Sequence, residues 1–99
     1  MIYTPVKLDK SRNVVLGFQA LQEFKKITGK SLTKINFESD DLEVESVIPA
    51  IFYAGLKHED KELTYEKTVA LLDEYLGIKQ ALDIIPQIIQ DAFGEVEKK

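Results

Sequence analysis

The stretch from Ile78 to Val96 constrains this chain more than any other part of it. On a helical wheel, Ile78, Ala81, Leu82, Ile84, Ile85, Ile88, Ile89, Ala92, Phe93 and Val96 spread over an arc of about 180°. A helix lying on one side of a core needs an apolar stripe of only about 100° or somewhat more. Two arrangements absorb the excess. Either this is a central helix touching neighbours on two sides, or its spare edge, expected at Ile84 and Ile88, meets a partner chain. Ile84 and Ile88 are therefore the candidate partner-binding residues. Pro86 lies within the segment and predicts a kink.

The rest of the chain reads as a hairpin and three shorter helices. Pro5-Val6-Lys7-Leu8, a polar turn at Asp9-Lys10-Ser11-Arg12 and Asn13-Val14-Val15-Leu16 form a hairpin over about residues 5–16. A lone hairpin is marginal in water, so it must pack on helices. A first helix over about 18–28 places Ala20, Leu21, Phe24 and Ile27 on one face, with Lys25 and Lys26 in its last turn and Gly29 as its stop. Residues 30–40 connect, with Leu32, Ile35 and Phe37 tucked beneath.

Ser39, Asp40 and Asp41 are N-cap candidates for a second helix, about 41–57, carrying Val44, Val47, Ile48, Ile51, Phe52 and Gly55. Pro49 either occupies its first turn or kinks it; the unbroken apolar period favours one bent helix. After a charged loop at Lys57–Glu62, Thr64 caps a third helix over about 65–76, with Tyr65, Val69, Leu72 and Leu76 at helical spacing and Gly77 at its end. The fourth helix runs over about 78–95, and Glu95–Lys99 reads as a frayed end. The expected fold class is mainly α: about four helices with a small N-terminal β-hairpin, in a single domain spanning 1–99.

Composition removes most chemistry. The 99 residues include no cysteine and one histidine, His58, which excludes disulfides, thiolate catalysis and multi-histidine metal sites. No cofactor is expected. No apolar run reaches the roughly 18 residues of a membrane span, and Met1–Lys10 lacks a signal-peptide layout, so the cytoplasm is the expected compartment. The net charge of −4 divides into +5 over residues 1–37 (seven Lys/Arg, two Asp/Glu) and −9 over 38–99 (six and fifteen). An acidic whole argues against nucleic-acid binding. The asymmetry either favours head-to-tail contact between copies, making a homo-oligomer, or reflects two solvated faces of different sign.

Several local patterns are decoys. Thr28-Gly29-Lys30-Ser31 resembles the end of a phosphate loop, but Phe24 stands where the motif needs glycine, and the segment ends a helix instead of starting one. His58 beside Glu59 and Asp60 sits in a charged loop with no nucleophile motif. Asp73 and Glu74 are adjacent on a helix and do not face each other. A helix-turn-helix reading of the last two helices would put Asp83 and Asp91 against phosphates. The expectation is a non-enzymatic interaction protein.

Two stretches are familiar in combination. One is Gly17-Phe18 through Leu21, Phe24 and Thr28-Gly29-Lys30-Ser31, directly after a hairpin. The other is Ile51-Phe52-Tyr53-Ala54-Gly55-Leu56, then Leu63-Thr64-Tyr65-Glu66 and Leu71-Leu72-Asp73-Glu74-Tyr75. Together, over roughly residues 12–95, they resemble the tail assembly chaperones of long-tailed phages and prophages. That resemblance implies a mostly helical protein that binds the tape measure protein before tube subunits polymerise around it. It implies action in the host cytoplasm and absence from the mature virion. It also implies an extended frameshift product that contacts tail tube subunits, this chain looking like the short form. It carries over no functional residue, and Pro49 and Pro86 have no counterpart in its pattern. The other reading from the residues is a small regulatory module, an antitoxin or adaptor of a mobile element, with one folded partner.

Overall fold

Alternation of core-facing and solvent-facing residues builds the hairpin. The computed structural model describes residues 3–93; the expectations for Val96, a helix end at 95 and a frayed Glu95–Lys99 lie outside the described residues. Strands β1 (Thr4–Lys7) and β2 (Ser11–Val14) pair antiparallel, Thr4 opposite Val14 and Val6 opposite Arg12. Thr4, Val6, Arg12 and Val14 face inward, while Pro5 and Lys7 face out. The turn is therefore Leu8–Lys10, not Asp9–Arg12, and Arg12 belongs to β2.

The outer edge of β2 is taken up by the segment after α2, and Pro5 interrupts the outer edge of β1. The Asn13 N–H donates away from β1, to Glu59 Oε1 at 3.1 Å, and its side-chain amide donates to Glu59 Oε2. His58 Nε2 lies 2.9 Å from the Asn13 carbonyl oxygen. Pro5, opposite Asn13, has no N–H to offer at the outer edge of β1.

Helix α1 (Phe18–Thr28) buries Ala20 and Phe24 and ends at Gly29, whose φ of 76° lets its N–H reach the Lys25 carbonyl at 2.8 Å. A single 3-10 turn (Leu32–Lys34) follows. Leu32 is buried and Ile35 and Phe37 pack against the core, as the sequence indicates.

Helix α2 (Val44–Leu56) is the axis of the molecule. Val47, Ile48 and every residue from Ala50 to Leu56 are buried, and α1, β2, α3 (Tyr65–Tyr75) and α4 (Gly77–Phe93) all contact it. It begins later than expected. Ser39, Asp40 and Asp41 stay in the preceding turns, where Ser39 Oγ accepts the Asp41 N–H, and Glu43 takes the cap position without a side-chain bond. The helix runs unbroken through Pro49; the missing N–H leaves the carbonyl of exposed Glu45 without its helical partner.

Gly55 allows the close approach of α2 to the hairpin. A Cβ there would collide with Val14 Cγ1, and the Gly55 carbonyl accepts the Val15 N–H at 2.9 Å. Thr64 Oγ1 caps α3 by accepting the Lys67 N–H at 3.0 Å. Gly77, with φ of 84°, turns the chain directly from α3 into α4, which continues through Pro86. Helix α4 packs on α3, α2 and β1, and the Thr4 hydroxyl donates to Asp91 near its far end.

Candidate functional site

Helix α4 decides where the chain has surface to share. Its buried residues are Ala81, Ile85 and Ile88, an arc of about 60°. The expected partner-binding edge needs correcting. Ile88 is 1% exposed and enclosed by the chain's own core, and Ile84 is half-buried against it. That edge turns toward β1, which the Thr4–Asp91 bond holds in place. The free edge is the opposite one. Ile78 is 70% exposed, Leu82 38% and Phe93 40%, with half-buried Ile89 and exposed Pro86 on the same side. Ile78, Leu82, Ile89 and Phe93 form a stripe roughly 22 Å long at 1.5 Å per residue.

Where this stripe begins, the surface is concave. Val44, Ile48 and Pro49 of α2, Val69 and Leu72 of α3, and Ile78, Ala81 and Leu82 of α4 enclose a groove of about 340 Å³. That is near the lower end of the range for ligand pockets, roughly 300–1,000 Å³. Its charged lining residues are Glu45 and Asp73, both exposed and neither in an ion pair among the described residues. Lys79 and Asp83, further along α4, pair with each other at 3.0 Å. Pro49 contributes a rigid apolar wall, and the Gly77 turn lets Leu72 and Ile78 line one groove.

A second groove, about 650 Å³, lies between the start of α1 and the segment after α2, lined by Lys26, Lys57, His58 and Lys61 among others. Phe18 stands at it, 85% exposed. Lys57 is committed: its Nζ donates to the carbonyls of Lys61 and Leu63 at 3.2 Å and lies 5.4 Å from the Tyr53 ring centroid. Lys26 lies 3.7 Å from Glu23.

An ionic cluster centred on buried Arg12 acts as an internal lock. Arg12, 3% exposed, donates to both Asp9 oxygens at 2.8 and 3.0 Å and to Asp60 at 3.3 Å, tying the hairpin turn to the loop before α3. The Arg12 hydrogen bond lowers the Asp9 pKa to about 2. For Asp60, desolvation pushes upward, but the bonds from Arg12 and the Glu62 N–H outweigh it, leaving the carboxyl below its ordinary value.

The sequence decoys find structural roles. Gly29 closes α1, and the Lys30 N–H donates to Thr28 Oγ1. His58 and Glu59 serve the β2 edge, and Asp73 and Glu74 are exposed. Among the described residues, no cluster of three or more His, Asp or Glu could hold a metal ion, and no helix is long and apolar enough to cross a membrane. Comparisons with protein-family models, curated proteins and solved structures found no match.

Proposed function

We propose that this protein is a non-catalytic helix-binding chaperone, of the kind that keeps a phage tape measure protein soluble in the host cytoplasm during tail assembly. The reading is supported above all by the groove between α2, α3 and α4, which continues into the exposed stripe of Ile78, Leu82 and Phe93. An amphipathic helix docks through residues at i, i+3, i+4 and i+7, and a groove flanked by helices with an apolar floor accepts that face. A tape measure protein is long, helical and apolar, and exposed apolar length of that kind aggregates unless covered. Several copies would sit along one client, and the +5/−9 division of charge favours their contact with one another. An extended frameshift product reaching tail tube subunits belongs to the same proposal.

Co-expression with a long helical protein encoded beside this gene tests it. The client is expected to stay soluble with the native chain and to precipitate with Ile78→Asp/Leu82→Asp. A client equally soluble with the variant, or insoluble with both, overturns the proposal. Co-purification with one globular protein in a fixed ratio would select the regulatory module instead.

A further inference from the structure

Resting on the helix-docking reading, we infer that the groove selects a cationic amphipathic helix: an aliphatic stripe flanked by lysine or arginine. The two ionisable groups in its lining, Glu45 on α2 and Asp73 on α3, are both carboxylates. Both are solvent-exposed and neither has a cationic partner among the described residues, so both are free to pair with a cation brought to the groove. The nearest flanking cation on α4, Lys79, is cancelled by Asp83 at 3.0 Å. A helix seated with its apolar face on Ile48, Leu72 and Leu82 carries its flanking side chains to both walls, within reach of these carboxylates. Lysine and arginine stems cover apolar surface while their heads reach the acids; glutamates in those places meet like charge.

The occupant is a helix and not a strand. Glu59 and His58 occupy the outer edge of β2 and Pro5 interrupts the outer edge of β1, so strand addition to the hairpin is disfavoured. The contrast with the other groove sharpens the assignment. That groove is lined by Lys26, Lys57, His58 and Lys61 with one carboxylate, Glu23, and would repel the same ligand.

Two synthetic helical peptides test this on the full chain. They share one Leu/Ile stripe and differ only in carrying Lys or Glu on both flanks. At low salt the Lys peptide is expected to bind at least about tenfold more tightly, and Glu45→Gln/Asp73→Asn to reduce that preference to about twofold. Equal affinities, tighter binding of the Glu peptide, or a preference unchanged in Glu45→Gln/Asp73→Asn would overturn the inference, the last by tracing it to net charge alone. Failure of both peptides to bind, or equal binding to Ile78→Ser/Leu82→Ser, overturns the docking reading and the inference with it.

Discussion

Gly55 and Arg12 show how single residues fix this fold. Gly55 is required because Val14, a β-branched side chain with little rotamer freedom, occupies the space a Cβ would need. Gly55→Ala is expected to destabilise the chain by about 1–3 kcal/mol in a denaturant titration. Val14→Ala in the same background should recover part of the loss; no recovery would remove the steric explanation. Arg12→Met strands two carboxylates, at a cost of about 1–3 kcal/mol, the lower range for a pair whose acids retain some solvent. The pH response follows from Asp9. Its folded pKa, about 2, lies below the ordinary aspartate value of 3.8, so its contribution is nearly complete above pH 4 and disappears as pH falls through 2. Stability should fall across that window, and Asp9→Asn should flatten the fall. An unchanged acid limb in Asp9→Asn would contradict the assignment.

At the scale of elements, helix ends were legible where one residue acts alone. Gly29 and Thr64 mark their termini because glycine's left-handed conformation and a threonine cap are local properties. Arg12 was illegible because its second acid, Asp60, is 48 residues away, and a polar residue in a turn-like run reads as turn. The late start of α2 is not legible in the sequence because the Ser39 hydroxyl accepts the Asp41 N–H and so caps its own turn instead of the helix.

The apolar arc on α4 is too wide for one neighbour, and the sequence leaves open whether its excess at Ile84 and Ile88 meets a second neighbour or a partner chain. Both margins of the arc look alike in sequence. Docking of β1, held by the Thr4–Asp91 bond, together with packing on α2 and α3, decides which margin is covered. The consequences are opposite for the two margins. Ile88→Asp should unfold the monomer, since it buries a charge without a partner. Ile78→Asp should leave the thermal midpoint nearly unchanged while abolishing helix binding. A folded Ile88→Asp, by circular dichroism, would contradict the burial described.

For the whole molecule, α2 and not α4 is the central helix, wrapped by α1, α3, α4 and the hairpin. That leaves α4 peripheral along one side, which is where the apolar stripe and the acidic groove lie. Length, composition and periodicity conveyed the four helices and hairpin, but the groove depends on how three helices converge and has no local signature. Head-to-tail association through the +5 and −9 portions should weaken between roughly 0.05 and 0.5 M salt in sedimentation. Salt-insensitive sedimentation would remove electrostatics from self-assembly without touching the groove.

The most direct test of the docking surface is nuclear magnetic resonance mapping of the ¹⁵N-labelled chain with the Lys-flanked helical peptide. Shift changes concentrated at Ile48, Val69, Leu72, Ile78, Ala81 and Leu82 are the expected result. Changes centred on Phe18 and Lys57, or none at saturating peptide, would contradict it.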